Sequence, residues 1–436
     1  MSSKPVATAV SSRIRLFQVL VLLPALVANT PLGAQTLRLW PGAAPCDASF
    51  ESCLAAVPAG GTLRIVSNQT IADRIGVERA LSIEAAPGVT ATFTATQGHT
   101  ILIPGSAPWA VTLRNLRFVG GSVFISIAGS QPGELHMEAL SFRGNASNAQ
   151  TQVMWQFDPG TSARSRIVLR RCDFEIGSDN GAPFSISQFG GSSGGMEVIV
   201  EDNRFRPEPV VIAQSFHRAW FANVDGDGPW DIVFRRNRVL PAALATSPPR
   251  RYASGVEINT TGNASINLAV HDNLFLLDQV AGAGGAAISA GGSSGSVQAR
   301  VINNTIVNAY LATSFRPNVS GRYDNNIAAN NLRLHDGEAA AANFQRRGNL
   351  EFGNAFSNWP TAPGTLTVDP QLAADGQPLP TSPSINAGND VARGETGPGA
   401  QGQLAALDAQ GLRRIEGAHV DIGAFEGERI YYDGAE

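Results

Sequence analysis

The chain carries one lysine, Lys4, in 436 residues, and only 16% of its residues are charged. Beyond residue 34 every permanently charged cation is an arginine. There is no basic block and the formal net charge is −4, so nucleic acid is not expected as a partner. The six histidines, His99, His136, His217, His271, His335 and His419, are scattered, with no pair at metal-ligand spacing. No G-x-S-x-G and no phosphate-binding loop occurs.

Long apolar runs are equally scarce. One stretch, residues 16–28, follows Lys4, Arg13 and Arg15 and is too short to span a bilayer comfortably. Residues 1–34 therefore read as a signal peptide with cleavage near Ala34, against the competing reading of a retained anchor. The mature chain is expected to be secreted or at the cell surface, monomeric and without a transmembrane segment. Losing three basic and no acidic residues with the leader takes the formal charge from −4 to −7.

What the chain does have is 46 Gly, 26 Pro and a repeated frame. The frame is clearest in VINNTIV (301–307) and recurs as VEDNRF (200–205), FRRNRV (234–239), VHDNLF (270–275) and YDNNIA (323–328). Looser copies are LRNLRF (113–118), MEALSF (137–142), LRRCDF (169–174) and RGNLEF (347–352). Aligned copies end at 118, 142, 174, 205, 239, 275, 306, 328 and 352, in steps of 22 to 36 residues. A frame that holds while the spacing varies implies stacked coils with variable loops.

Two places before the aligned residue stand Asn203, Asn237, Asn273, Asn304 and Asn326, with Cys172 in the same column. Coils of a parallel stack lie about 4.8 Å apart, so like residues fall above like. Asparagine tolerates the left-handed backbone of a tight bend, and its amide can bond to neighbouring coils. The aligned column, from Phe118 to Phe352, reads as an internal apolar stack. A leucine-rich horseshoe would need near-constant periods and leucine-dominated frames, which are absent. A second repeat, SISQFGGSSGGMEVIVEDN (185–203) and AISAGGSSGSVQARVINN (287–304), implies an ordered glycine-serine corner.

On these motifs, residues 60–355 resemble the pectin-lyase-like β-helix superfamily. The resemblance implies an all-β fold, a single-stranded right-handed parallel β-helix with a short N-terminal capping helix and an irregular C-terminal cap. The expected division is 1–34 signal peptide, 35–61 N-terminal cap, 62–352 β-helix, 353–428 C-terminal cap and 429–436 tail. The superfamily includes lyases, hydrolases, epimerases and non-enzymes, so fold does not give function.

Both ends carry their own signals. Phe50, Cys53, Leu54 and Val57 share one face of a helix expected over 47–57, with Asp47 as its cap. Such a helix would cover the open end of the stack. Cys46 and Cys53 are expected to form a disulfide in an exported chain. On one regular helix their Cα atoms would stand about 10.5 Å apart, beyond bridging range, so Cys46 must precede the helix and fold back. Cys172 is left over and reads as a buried thiol. At the other end, SPSINAGND (382–390), D-x-x-G-x-x-R from Asp408 and DIGAFE (421–426) resemble the choice-of-anchor Q segment of exported bacterial β-helix proteins. That segment would pair with and seal the last coil. The final residues resemble a DGFE-type tail.

The chemistry concentrates in 216–231 and the following coil. Asn223, Asp225 and Asp227 match the first half of a calcium loop and Asp231 its ninth position, but Phe234 stands where a glutamate belongs. Calcium bound by these four competes with a metal-free Asp-Gly turn. Trp220 and Trp230 can stack on sugar or pack in the wall. Alternation sends Glu257 outward between Val256 and Ile258, and Arg250, Arg251 and Tyr252 precede it. If catalysis occurs, Asp225, Asp227, Glu257, Arg250 and Arg251 are the candidates, with Trp220, Trp230 and Tyr252 binding substrate. Known pectate-lyase and polygalacturonase motifs are missing. The leading expectation is an exported protein whose lateral face binds, and can degrade, an extended polysaccharide or cell-surface glycan, as a polysaccharide lyase or glycoside hydrolase. The alternative is a non-catalytic surface adhesin or envelope structural protein.

Overall fold

Short segments with apolar residues at every second position, such as LSIEA (Leu81–Ala85) and GELHME (Gly133–Glu138), bury one edge and leave the other outside. The structure, a computed structural model, describes residues 36–436 except 73, 95–99, 106–108, 121–122, 128–131, 145–152, 158–160, 177–181, 208–217, 242–253, 278, 280–284, 338, 340, 391–406, 413–418 and 427–436. The leader, Arg250, Arg251, Tyr252 and the 429–436 tail lie outside the described residues.

Among the described residues the strands form three parallel sheets of twelve, eleven and ten strands, here sheets 1, 2 and 3. One coil shows the path. Met196–Glu201 lies in sheet 1, Arg204–Pro207 in sheet 2 and Arg218–Gly226 in sheet 3, and the chain re-enters sheet 1 as Pro229–Arg235 beside Met196–Glu201. The fold is a right-handed parallel β-helix, the hand that parallel crossovers take.

Its interior is a column of rings. Phe93, Phe118, Phe142, Phe174 and Phe205 stack at 4.8–5.4 Å, and Phe234 bridges from Phe205 to Phe275 where Val239 leaves room. The register corrects one end of the sequence alignment. Ala328 pairs with Glu351, so Phe352 lies outside the column and faces outward.

Between sheets 1 and 2 the bend is closed by asparagine. The backbone N–H groups of Cys172, Asn203, Asn237, Asn273, Asn304 and Asn326 each donate to the side-chain oxygen of the next member, ending at Asn349, over 2.8–3.1 Å. The left-handed residue is not the asparagine, as expected from sequence, but its predecessor: Asp202, Arg236, Asp272, Asn303 and Asn325 have φ of 52–59°. The amide bonds hold the bend so firmly that even an arginine adopts a backbone costing roughly 1–2 kcal/mol.

Outside, sheet 1 carries alternating charge. Arg64, Glu84, Arg114, Glu138, Arg170, Glu201 and Arg235 occupy one column in register. Arg64–Glu84, Arg114–Glu138 and Arg235–Glu201 pair at 2.6–2.8 Å, and Glu201, 1% exposed, also pairs with Arg170 and Arg236. Burial alone would raise the Glu201 carboxyl, but Arg235, Arg170 and Arg236 together hold it below its usual range.

The ends differ in detail from their sequence reading. The helix is Phe50–Ala55, capped by Ser49, whose Oγ accepts from Ser52 N at 3.1 Å, rather than by Asp47. Cys46 and Cys53 are bonded, with Cα atoms 4.3 Å apart. Phe50 packs edge-on against Trp40 and Phe93, closing the ring column from below. Above, Trp359 packs on Phe315, Phe344 and His335.

The C-terminal segment pairs with the last coil at Leu366–Leu350 and then folds back along sheet 2. There Ile422 packs with Ile327, Ala329 and Leu350, and Phe425 with Leu274 and Leu276. The path follows from the outer face of sheet 2, which becomes apolar at these coils. Buried Asp408 accepts from the backbone N–H of Gln410, Leu412 and Glu426, and buried Asp421 from that of Asn386.

Replacing buried Asn273 with leucine removes the acceptor of Asn237 N–H and one donor each from the carbonyls of Phe234 and His271. Each lost partner costs about 1–3 kcal/mol, and a chemical denaturation curve should shift by at least one such step. An unchanged curve would contradict the ladder's role. Because the Glu201 carboxyl is depressed in the folded state, its contribution is complete above its ordinary value of 4.5 and is lost as pH falls through its lower folded value. Melting temperature should therefore drop in acid, and Glu201→Gln should lower it at neutral pH while flattening that drop. A variant as acid-sensitive as the parent would assign the loss to other groups.

Candidate functional site on the outer face of sheet 3

Four neighbouring strands of sheet 3 build the most varied outer surface: Phe184–Ser192, Arg218–Gly226, Ser254–Thr260 and Ala286–Gly292. In Arg218–Gly226 the inward residues are Trp220, Ala222 and Val224, which sends Phe221, Asn223 and Asp225 outward. In Ser254–Thr260, Val256 and Ile258 are buried and Glu257 and Asn259 face out. Register then sets two outward columns. One runs Ser185, Phe221, Glu257, Ser289, and the other Gln156, Ser187, Asn223, Asn259.

Glu257 is the centre of this surface. Arg218 Nε lies 2.8 Å from its Oε2, and Asn259 Nδ2 donates to its Oε1 at 3.3 Å. The Arg218 guanidinium also lies over the Phe221 ring, 4.9 Å from its centre. The result is a carboxylate ion-paired with one arginine and bonded to one amide, beside an aromatic ring and a row of amides and hydroxyls. Such a surface can exchange hydrogen bonds with sugar hydroxyls along several coils. Arg218 escaped the sequence reading because it lies at the strand's start, where strict alternation fails: it shares parity with inward Trp220.

Other expected site residues are not brought together. Trp220 and Trp230 are 0% exposed and belong to the wall, not to a sugar platform. Trp220 stacks between Phe184 and Phe234, and Trp230 Nε1 donates to Gln188 Oε1 at 3.2 Å. The four residues of the calcium loop are spread over two sheets. Asn223 and Asp225 lie on a strand of sheet 3, and Asp227 sits at the corner, accepting from Asn263 Nδ2 at 3.0 Å. Asp231 faces out from sheet 1, paired with Arg164 and accepting from Asn267 Nδ2 at 2.8 Å. An extended strand cannot wrap its oxygens around one ion, so the loop read from the spacing does not form. Among the described residues no cluster of three or more His, Cys, Asp or Glu side chains is arranged to hold a metal.

The corner itself explains its glycines. A Cβ on Gly228 would lie 2.1 Å from Gly194 O, and one on Gly262 2.2 Å from Gly226 O. Backbones of successive corners are in contact, which only glycine permits.

Carboxylate spacing limits the chemistry. Phe221 pairs with Glu257, so Asp225 lies four places along the neighbouring strand. Rise and strand spacing put their Cα atoms roughly 14 Å apart. Acid–base pairs in glycosidases stand about 5–9.5 Å apart. Strand geometry alone does not bring Asp225 and Glu257 to that separation.

No family model matches the chain, and no curated protein matches it. Among solved structures it is similar to pectate lyase Pel9A, with TM-score 0.37 and 13% identity over 90% of this chain and 97% of that one. It is also similar to the PL6 family alginate lyase AlyGC, with TM-score 0.30 and 11% identity over 80% and 56% of the two chains. The PL6 family polysaccharide lyase Pedsa3628 from Pseudopedobacter saltans gives 0.29 and 13% over 79% and 95%. The likeness is one of fold alone, and nothing about the site follows from it.

The buried tryptophans generate a prediction. Trp220→Ala should destabilise by about 3–5 kcal/mol through the cavity it leaves, read as a fall in the denaturation midpoint. A stable Trp220→Ala protein with weakened glycan binding would return this residue to the site.

Proposed function

We propose that the protein is exported and binds an extended polysaccharide along the outer face of sheet 3, centred on Glu257, Arg218 and Phe221. The observation that carries this reading is the Glu257 carboxylate held between Arg218 and Asn259, beside the Gln156–Ser187–Asn223–Asn259 column. The leader-like first 34 residues, the Cys46–Cys53 bond and the resemblance of 366–426 to an exported-protein segment support passage out of the cytoplasm. Binding without two-carboxylate hydrolysis fits the spacing of Glu257 and Asp225. A stiff surface spacer is the second reading, favoured by Ser185, Ser289 and Ser314, which continue the Glu257 column as small hydroxyls.

The test is a glycan array on the mature protein, followed by titration of the best ligand. Glu257→Gln and Arg218→Gln should each weaken binding about tenfold or more, since each removes a charge-assisted contact, with melting temperature nearly unchanged. Unsaturated or reducing ends released by the parent would add degradation to the reading. Absence of any glycan ligand, or full affinity in both variants, would leave the spacer.

A further inference from the structure

Sheet 2 and the bend leading into it carry a charged surface that the sheet 3 site does not use. Arg171, Arg204, Arg236 and Arg238, with Asp173 and Asp202, line a groove of about 470 Å³, bounded by Ala409 and Gln410 of the C-terminal segment. Its two acids are heavily shared. Asp173 takes Arg143, Arg204 and Arg206 at 2.7, 2.8 and 3.3 Å. Asp202 takes Arg236 through both oxygens, at 2.7 and 2.9 Å. Arg238 pairs with no carboxylate among the described residues, and its guanidinium rests over the Phe425 ring at 5.7 Å. A guanidinium offers five N–H donors, so donors here outnumber acceptor oxygens, in a chain whose net charge is negative.

We propose that this groove binds an oxyanion borne on a polymer, the carboxylate or sulfate group of an acidic polysaccharide. The polymer follows from the extent of the charge. Register places Arg117, Ser141, Asp173, Arg204 and Arg238 in one outward column, with Arg143, Glu175 and Arg206 beside it. Five arginines thus face two acids, Asp173 and Glu175, across five adjacent strands, about 19 Å from first to last. A single small anion would occupy one place on that stripe, whereas a chain of anionic groups can follow it. The stripe ends where the C-terminal segment begins, so Phe425 both seals the apolar coils and holds the last guanidinium in place. The proposal is independent of the site on sheet 3.

The full-length mature protein is titrated with dextran sulfate, neutral dextran, inorganic sulfate and a single-stranded oligodeoxynucleotide. The parent should bind dextran sulfate with an affinity that falls as salt rises, and should ignore neutral dextran. Arg238→Gln should weaken that binding about tenfold, the effect of one charge-assisted contact, and Arg238→Glu more. Thermal melts check that each variant is folded. Should the reversal fail to fold, Arg117→Gln, an exposed change at the far end of the stripe, should still reduce affinity and the salt dependence. Unaltered binding in the folded variants overturns the proposal. Inorganic sulfate bound as tightly as the polymer would make this a free-anion site, and oligonucleotide bound as tightly would make it a nucleic-acid surface; either result overturns the polysaccharide assignment.

Discussion

At each bend from sheet 1 to sheet 2, a backbone N–H donates to the asparagine side chain of the following coil, six times from Cys172 to Asn326. These bonds run along the helix axis, as the strand pairing does, and they act where the pairing is interrupted. A one-residue slip would cost every bond in the row and turn apolar side chains out of the core. Register is thereby held at the bend, and everything else inherits it. The interior rings stack because the column is in register, and the outer columns of sheets 1, 2 and 3 are straight for the same reason.

Straight columns make single residues matter in a way that scattered surface residues do not. A lone exposed Arg–Glu pair contributes little. In sheet 1 the same residue types alternate up one column, and Glu201 serves three arginines while almost wholly buried. Removing one partner there leaves charge uncompensated on both sides. The coupling between coils is electrostatic outside and steric inside, so both weaken together if the bend opens.

The coil frame, the asparagine column, the outward face of Glu257 and the position of Cys46 ahead of its helix were legible because each is a local pattern. The charge column was also present in the aligned frames, as Arg114, Glu138, Arg170, Glu201 and Arg235 at one place, but it emerges only once neighbouring coils are compared. What misled was chemistry read along the chain. Asn223, Asp225, Asp227 and Asp231 are close in sequence, yet a corner divides them between two sheets. Spacing measures distance in a loop, whereas on a strand it measures distance along a rigid line. Arg218 and Glu257 meet although 39 positions separate them in the sequence. No reading that stays within one coil can find such a pair.

The same logic separates the two candidate surfaces. Sheet 3 offers amides, hydroxyls and one held carboxylate, whereas sheet 2 offers guanidinium groups in excess of acids until its face turns apolar. In a solenoid each face is a one-dimensional array, and a substitution on one outward column leaves the others in register. The faces can therefore be altered one at a time on an unchanged scaffold. The asparagine row holds both surfaces in register from the bend between sheets 1 and 2.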